Sequence, residues 1–513
     1  MSNRQTIAIS EEKTNANLEI LDREFAAQHD TLRIFQRSGE VVQVRDMPER
    51  AKLDGKEETV WTPQIVRADK EHIQQAANDT LDFVKFDARS NSWRPASCRD
   101  ELARLYIKKR TEWRLPVLSA IIDHPTLRAD GSILDTPGFD ERSGILFGPK
   151  DDFPRIPRAP TVREVDFALM KLLHPVRGFE FEDDCARAVW LACVLTALLR
   201  PSLPRAPIFG FDAPMAGSGK SKLAAGASII AQGFECAGMS QAATAEEEEK
   251  RLFAALYRGA PFIYIDNCTE PLKSAHLCQI STAPAWSSRV LGKSEQISVP
   301  TSATVMATGN GLRFTGDLTT RALTCRLTPQ TDKPERRQFD FDFEGECRRL
   351  RPALVVAALT IARGYVAGSG ARVEAKSRFP EWDGLVRQPL IAAGLPDVIE
   401  TMQQSQEEDD ERLAFGRLME AWRSAFGDDA KRVKEVAARV EESNDSFSPD
   451  ARAELSEALA AVAPSKLNAR TFDSERLGKY LRQNRDRYHD GLVLKGESDA
   501  NNGAKWSVVR AHG

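Results

Sequence analysis

Apolar and polar positions along this chain follow two different periods. Residues 31–45 alternate between apolar and polar side chains around a Ser-Gly turn, which predicts a β-hairpin. Three short apolar runs, 207–212, 261–266 and 303–310, predict buried strands. Segments with helical spacing predict helices at about 99–110, 162–174 and 182–200. Buried strands alternating with helices indicate the α/β fold class.

The same patterns divide the chain into six segments. In chain order we predict a polar tail, with a short helix as the alternative (1–25), an N-terminal α+β domain with two strands around an Asp-Gly turn (26–150), a proline-rich linker with a helical lead-in (151–200), an α/β core (201–365), a helical region (366–440) and a winged-helix-like C-terminal domain (441–513). The acidic run 407–411 is predicted to begin a solvated helix.

Composition sets bounds on these expectations. The formal net charge of −4 gives no bulk basic signature, so any contact with nucleic acid has to come from a local patch. The eight cysteines are scattered without a Cys-x-x-Cys pair, which argues against a zinc site and for a reducing compartment. The first residues form no signal peptide, and the longest apolar run, 188–199, is too short to span a bilayer. We therefore expect a cytoplasmic protein with no membrane partner.

Residues 214–221, Pro-Met-Ala-Gly-Ser-Gly-Lys-Ser, follow one predicted strand and open a predicted helix. A strand, a glycine-containing turn and a helix N-terminus aim successive backbone N–H groups at one point, where the oxygens of a di- or triphosphate can bind. Pro214 replaces the first glycine of the pattern Gly-x-x-x-x-Gly-Lys-Ser/Thr. The predicted nucleotide-binding residues are Ala216, Gly217, Ser218, Gly219, Lys220 and Ser221.

Two strand ends downstream strengthen this interpretation. Gly-Lys-Ser/Thr alone occurs by chance in many chains, but here the run 261–266 ends in Asp266 and the run 303–310 ends in Asn310. The sequence therefore predicts an ATPase. Lys220, which we expect to be exposed at the helix start, would reach the phosphates, and Ser221 and Asp266 would hold Mg²⁺.

The span 83–400 resembles the helicase-like ATPases of phages, plasmids and integrative elements, which are related to superfamily-three and poxvirus-type primase-helicases. Besides 214–221, the matching stretches include Leu115-Pro-Val-Leu, Ile265-Asp-Asn, Trp286-Ser-Ser-Arg-Val-Leu-Gly-Lys-Ser, Ala307-Thr-Gly-Asn and Gly316-Asp-Leu-Thr-Thr-Arg-Ala-Leu-Thr-Cys-Arg-Leu. The resemblance implies an AAA+ core at 201–365 and an ATP hydrolase that acts as a homo-hexameric ring on single- or double-stranded DNA. It also implies service to the replication of a mobile element, with any primase or initiator a separate partner protein.

The resemblance implies roles for single residues as well. Asp266 would hold the metal-bound water shell, and Asn310 would act as a sensor that orients the attacking water. A ring implies an arginine finger from the next subunit, worth several powers of ten in rate. Arg321 is the candidate, but related sequences usually carry two adjacent arginines where this chain has Thr320-Arg321. The alternatives are Arg289 or Arg326 as the finger, and a surface salt bridge for Arg321.

Two further intervals stay open. Many such ATPases have Asp-Glu where this chain has Asp266-Asn267, so the catalytic base comes from elsewhere or is absent, and hydrolysis could be slow. Glu249 is one candidate base, although a solvated first helical turn explains it at least as well. In superfamily-three helicases the interval before Asn310 carries a pore hairpin with a basic tip. Arg289 and Lys293 could contact DNA phosphates there, or be ordinary exposed residues.

The C-terminal segment has the pattern of a winged helix. Helices are predicted at 451–463 and 473–484, and strands at 491–495 and 505–510. In the second helix we expect Phe472, Leu477, Tyr480 and Leu481 to be buried, and Arg476, Lys479, Arg482, Arg485 and Arg487 to point outward. Arg476, Lys479 and Arg482 would contact duplex DNA. As alternatives, these basic residues could simply be exposed to solvent, or they could contact a partner protein.

Three functions compete at this level. The leading hypothesis is a ring-shaped, ATP-dependent DNA helicase or translocase. The second is a replication initiator or DNA-binding switch that ATP controls, with slow hydrolysis, which Asn267 favours. The third, a small-molecule P-loop kinase, needs a lid and an acceptor pocket, and the strand-end Asn310 and the downstream arginines argue against it.

Overall fold

The computed structural model describes residues 4–9, 14–53, 56–109, 112–289, 296–330, 341–368, 374, 377–441, 449–465, 471–497 and 504–511. The chain forms two compact units, Met1–Met402 and Gln403–Gly513. The first unit holds an N-terminal α+β part and a parallel α/β core, and the second has helices and a sheet of its own.

The N-terminal part consists of short helices and small sheets. Its elements are β1 (Thr6–Ala8), α1 (Thr14–Ala27), α2 (His29–Leu32), β2 (Ile34–Arg37), β3 (Glu40–Leu53), β4 (Lys56–Arg67), α3 (Lys70–Thr80), β5 (Asp82–Asp87), β6 (Ser92–Ala96), α4 (Asp100–Lys108), β7 (Ala120–Ile122), β8 (Thr126–Leu127), β9 (Ile133–Leu134), β10 (Gly138–Asp140) and β11 (Ile145–Phe147). Three-stranded sheets have the orders β1-β5-β6, β2-β3-β4 and β10-β11-β7, and β8 pairs with β9.

The hairpin predicted at 31–45 is confirmed, because β2 pairs antiparallel with β3. Ser38 and Gly39 both have positive φ at its turn, which matches the twist of the flanking strands. Of the two alternatives for residues 1–25, the short helix is confirmed by α1 and the tail is wrong. β1 pairs with β5, and Leu21 and Phe25 of α1 are fully buried. These two residues are four apart, so they share the helix face that packs on the N-terminal core.

The α/β core follows, and its strands form one sheet. Its elements are α5 (Val162–Leu173), α6 (Asp184–Leu199), β12 (Ile208–Ala213), α7 (Lys220–Gln232), β13 (Gly238–Ser240), α8 (Ala245–Tyr257), β14 (Phe262–Cys268), α9 (Ala275–Thr282), β15 (Ala285–Arg289), β16 (Gln296–Pro300), β17 (Thr304–Asn310) and β18 (Ala322–Arg326). The sheet has the order β13-β14-β17-β12-β18, and all its neighbouring strands are parallel. This confirms the α/β class and the three predicted buried strands.

The apolar helix predicted at 182–200 is α6. In the described part of the chain, the stretch Asp184–Ser202 is the one helix long and apolar enough to cross a membrane, but 89% of its apolar window is buried inside the protein. It packs with α7 and the sheet in the main hydrophobic core. The unit ends with α10 (Phe343–Arg349), α11 (Arg351–Val366), α12 (Pro380–Trp382), a π-helical turn at Asp383–Arg387 and α13 (Gln388–Ala392).

The second unit contains the two helices and two strands predicted for the C-terminus, together with further elements. It contains α14 (Glu400–Phe426), which begins at the end of the first unit, then β19 (Lys431–Arg432), α15 (Val433–Glu441), α16 (Pro449–Val462), α17 (Ser474–Gln483), β20 (Tyr488–His489), β21 (Leu492–Glu497) and β22 (Lys505–Arg510). The predicted elements are α16, α17, β21 and β22. The sheet has the order β19-β22-β21-β20. The acidic run 407–411 lies inside α14, so it does not begin a helix as predicted.

Candidate nucleotide site

Residues 214–219 form the turn between β12 and α7, and two positions in this turn favour glycine. Gly217 and Gly219 have φ of 76° and 99°, in the left-handed region that favours glycine. A Cβ atom at Gly219 would lie 2.8 Å from the Phe179 ring. Backbone strain and lack of space therefore both require glycine at the last position before the helix.

The N-terminus of α7 has no side-chain cap. Its N-cap residue is Gly219, which offers no side-chain oxygen. By contrast, α6, α8 and α9 each have an N-cap residue whose side chain accepts a hydrogen bond from a backbone N–H group of the first turn. These N-cap residues are Asp183, Thr244 and Ser274. The first N–H groups of an α-helix have no partner within the helix. Those of α7 can therefore bind an anion, with the helix dipole adding favourable potential.

Sheet topology brings the downstream strand ends to this turn. From β12 the chain crosses to β13 at one edge of the sheet, whereas from β17 it crosses in the opposite direction to β18. Adjacent parallel strands whose connections diverge leave a crevice at their carboxyl ends, where ligands of open α/β sheets bind. The turn follows β12, Asn310 ends β17, and Asp266 lies near the end of β14. The side chains predicted from the strand ends therefore meet in this crevice.

Lys220 lies inside the crevice. Its Nζ donates to the Met215 carbonyl at 3.0 Å and to Asn310 Oδ1 at 2.7 Å. Only 8% of the residue is exposed, so the prediction of an exposed lysine is wrong. Burial lowers the pKa of Lys220, and the carboxylates of Asp212 and Asp266 partly offset this.

Asp266 accepts three hydroxyl hydrogen bonds on one oxygen. Tyr264 and Thr308 each donate to Oδ1 at 2.6 Å, and Ser221 donates at 3.3 Å. Burial alone would raise the pKa of Asp266. The three hydrogen bonds outweigh burial, so the pKa lies below its usual value and the carboxylate stays ionised near neutral pH. Sequence reasoning missed Tyr264 and Thr308, although each lies two residues before a predicted site residue and so on the same strand face.

The backbone shifts register directly after Asp266. β14 pairs with β17 at Ile265 and again at Cys268 with one extra residue between them, and Asn267 has a φ of 55°. Asn267 donates its backbone N–H to the Thr308 hydroxyl at 2.9 Å. This bulge gives Asn267 a backbone role, which suits a residue type that tolerates left-handed φ.

An ion pair joins the carboxyl ends of β12 and β18. Asp212 is buried at the end of β12, and its Oδ2 is 3.0 Å from Arg326 Nε at the end of β18. Its other oxygen accepts the Leu312 N–H at 2.8 Å. Arg326 therefore belongs to the carboxyl edge of the same subunit, where it fixes the strand next to the turn.

Arg321 lies at the other end of the sheet. It directly precedes β18, whose Ala322 pairs with Ile208 at the start of β12. Its guanidinium is 3.6 Å from Asp317, four residues earlier, and its side chain is 14% exposed. Within one chain, Arg321 is thus separated from the turn by the length of β12.

The remaining candidates lie away from the turn or outside the described residues. Glu249 accepts a hydrogen bond from Ser288 at 2.7 Å and lies 4.0 Å from His276. β15 pairs antiparallel with β16, and Arg289 ends β15 opposite Gln296. The interval before Asn310 therefore contains two antiparallel strands, as expected for a hairpin. Lys293, the predicted basic tip, lies outside the described residues.

In the second unit, α17 is amphipathic as predicted. Leu477 and Leu481 are fully buried, and Phe472 and Tyr480 pack against the same core. Arg476, Lys479, Arg482 and Arg485 are exposed, and Arg476 also donates to the Pro464 carbonyl. Arg487 differs from the prediction that it points outward. Its guanidinium stacks on Phe415 and lies 3.8 Å from Glu411.

These groups fit ATP with Mg²⁺. The uncapped helix start and Lys220 are donors for phosphate oxygens, and the Ser221 hydroxyl and Asp266 carboxylate are the oxygen ligands that Mg²⁺ prefers. Ser221 and Asp266 are already within hydrogen-bond distance, so one cation could contact both. The bound ion would neutralise charge on the phosphates.

Comparison with known proteins adds little to this geometry. No protein-family model matches the chain, and no curated protein matches it significantly. The apo NrS-1 C-terminal region is similar at 10% identity and a TM-score of 0.33, over 85% of this chain and 98% of that chain. JCV helicase is similar at 12% identity and a TM-score of 0.23, over 50% of this chain and 70% of that chain. Scores this low do not establish a shared fold, so the functional proposal rests on the site.

Proposed function

We propose that this chain hydrolyses ATP at the carboxyl edge of its parallel sheet and couples hydrolysis to movement along DNA. The observation that supports the ATP site is the meeting of four groups in one crevice. They are the uncapped start of α7, the Lys220 ammonium, the Ser221–Asp266 pair and the Asn310 amide. The helix start supplies backbone donors for phosphate oxygens, and Lys220 supplies a positive charge. Ser221 and Asp266 supply ligands for the metal ion, and Asn310 supplies a polar group at the sensor position.

The contacts suggest how these residues share the work. Lys220 is held between Met215 and Asn310, so its ammonium is positioned before phosphate arrives. Tyr264 and Thr308 fix one oxygen of Asp266, which orients the carboxylate towards Ser221. The Asn310 amide contacts Lys220 directly and can report on the state of the phosphates. Such preorganisation is the main way in which a protein accelerates phosphoryl transfer.

The family resemblance extends the proposal beyond the site. It suggests an AAA+ core, a homo-hexameric ring and replication of a phage, plasmid or integrative element, with a separate primase or initiator. The eight cysteines are all free thiols, which agrees with a reducing cytoplasm. The β15–β16 hairpin supports a pore contact to DNA through Arg289 and Lys293.

An ATP-controlled initiator or switch is the second candidate, and Asn267 favours it. The residue after Asp266 is an amide in a left-handed conformation, whereas a motor of this kind often has a glutamate base there. Within the described residues, the side chains that donate hydrogen bonds to Asp266 are hydroxyls. Slow hydrolysis would follow if no carboxylate from elsewhere serves as the base.

ATP hydrolysis with and without single-stranded DNA separates these functions. For a motor we expect DNA to raise kcat by at least about 5-fold, which corresponds to lowering the activation free energy of hydrolysis by roughly 1 kcal/mol. A switch would bind ATP and hydrolyse it slowly whether or not DNA is present. If the protein neither binds nor hydrolyses ATP in the presence of Mg²⁺, the proposed site is wrong.

The second unit is expected to bind duplex DNA through α17. Because phosphate contacts release counterions, binding by residues 403–513 should weaken steeply as salt rises. Replacing Arg476, Lys479 and Arg482 by alanine should reduce the salt slope by roughly one for each phosphate that is no longer neutralised. Fluorescence anisotropy with a labelled duplex measures this, and Arg417→Ala, an exposed arginine of α14, is the control. An unchanged slope in the triple variant would assign the basic face to solvation or a protein partner.

A further inference from the structure

The end of the β5–β6 hairpin presents two aromatic rings to solvent. Phe86 and Trp93 lie directly opposite each other on the two antiparallel strands, with ring centroids 5.4 Å apart. Phe86 is 45% exposed and Trp93 55% exposed. Phe83, three residues before Phe86 on the other face, is buried in the N-terminal core. The core therefore takes one face of the hairpin and leaves the aromatic pair outside.

Strand pairing explains this exposure. Among the described residues, β1 pairs with β5 up to Val84, whereas β5 and β6 continue to pair as far as Asp87 and Ser92. The hairpin end is thus a two-stranded extension beyond the three-stranded sheet. Val84 and Pro95 are paired on the same face as the aromatic rings, so the exposed surface is apolar along the hairpin.

The hairpin that carries the pair is basic. Between residues 85 and 94 the chain has three basic residues, Lys85, Arg89 and Arg94, and a single carboxylate, Asp87. Asp87 is engaged by the Ser90 hydroxyl at 2.8 Å and lies 3.1 Å from Arg94 Nε. All three basic side chains are exposed. Lys85 and Arg94 pair with each other on the face opposite the rings, and Arg89 lies in the turn, so the positive charge flanks the hairpin and does not share the aromatic face.

We propose that this hairpin end is a stacking platform for unpaired bases of single-stranded nucleic acid. Aromatic rings accept the faces of unpaired bases, and neighbouring lysine and arginine residues contact the phosphates. Paired bases have no free faces to offer, so the platform discriminates single strands from duplex. The assignment builds on the proposed DNA partner but uses a part of the chain remote in sequence from the ATP site.

The test is binding of the full-length protein to two labelled strands of roughly 16 nucleotides, the upper site size of a single binding module. One strand is oligothymidylate, and the other has the same sugar–phosphate backbone without bases. Trp93→Ala should weaken binding to oligothymidylate by roughly 5- to 100-fold, the range for losing one stacked base. It should leave binding to the abasic strand unchanged, because the phosphate contacts remain. Trp93→Tyr should restore most of the affinity.

Trp61→Ala is the matched control, because Trp61 is 60% exposed on β4 and its cross-strand partner is Pro48 rather than an aromatic residue. It should change binding to neither strand. Unchanged affinity of Trp93→Ala for oligothymidylate would overturn the proposal, and so would an equal loss on both strands. A shift in oligomeric state without a change in DNA affinity would assign the pair to contacts between copies instead. Hydrolysis by the wild-type protein alone tests the ATP site, so the two proposals can fail separately.

Discussion

Lys220→Ala is expected to lower kcat for ATP hydrolysis by at least about 100-fold, the usual cost of one preorganised charge-stabilising donor. The Lys220 ammonium is held by the Met215 carbonyl and the Asn310 amide, and only 8% of the residue is exposed. At that position its charge acts through a medium less polarisable than water, so neither solvent nor a neighbouring side chain replaces it. Steady-state hydrolysis and binding of a fluorescent ATP analogue measure the effect.

Burial of Lys220 dictates the controls. Alanine removes packing as well as charge, so Lys220→Met, which keeps most of the aliphatic stem, should lose hydrolysis to the same degree with less change in thermal stability. Lys222→Ala removes an exposed lysine two residues later that pairs with Glu344 at 3.5 Å, and should hydrolyse ATP like the wild type. Wild-type rates in both Lys220 variants would show that the nucleotide site lies elsewhere.

The local pattern was sufficient to predict the strands and the turn of the site. The runs 207–212, 261–266 and 303–310 are mostly apolar until their polar last residues, as strands buried on both faces are, and each became a strand of the parallel sheet. Because parallel strands end at one edge, polar residues at their carboxyl ends were bound to converge. Asp266 and Asn310 could therefore be predicted without any knowledge of the sheet order.

Contacts between distant residues could not be predicted in this way. The burial of Lys220 depends on Asn310, ninety residues later, and the Asp212–Arg326 pair joins residues 114 apart. The alternation of β14 places Tyr264 on the face of Asp266, but only the register with β17 brings Thr308 to the same oxygen. Sequence periodicity gives the face of a residue and not its partner across the sheet.

Two wrong predictions outside the site have a similar origin. The first residues look polar, yet Leu21 and Phe25 supply a narrow apolar face that the N-terminal core covers. The acidic run 407–411 resembles a helix start because carboxylates favour the first turn. α14 instead begins at Glu400 and continues through the run, which occupies its middle turns. In both cases local charge was a weaker determinant than the apolar contacts of the whole helix.

Arg321 provides the sharpest test of a ring. Arg321 lies beside the start of β12, and the turn follows the end of that strand. The six residues 208–213 between them span roughly 20 Å at about 3.3 Å per residue. A guanidinium at that distance cannot reach phosphate in its own subunit, whereas a head-to-tail ring can present it to the neighbour's site. If it is an arginine finger, Arg321→Ala should lower kcat by roughly 10³-fold or more. Loss of the ion pair with Asp317 alone, 3.6 Å away, would leave hydrolysis intact.

Mixing two inactive variants distinguishes action between subunits from action within one. In a ring assembled from Lys220→Ala and Arg321→Ala subunits, a site regains both groups when an Arg321→Ala subunit receives the arginine of a Lys220→Ala neighbour. Random assembly of equal amounts should therefore restore about one quarter of wild-type hydrolysis, as expected for a heterologous interface. Arg104→Ala, whose arginine pairs with Asp100 four residues earlier as Arg321 does with Asp317, is the control and should be active alone. If the mixture stays inactive although both variants co-assemble, Arg321 does not act in trans. Arg289 would then remain as the candidate finger, because Arg326 is paired with Asp212 of its own subunit.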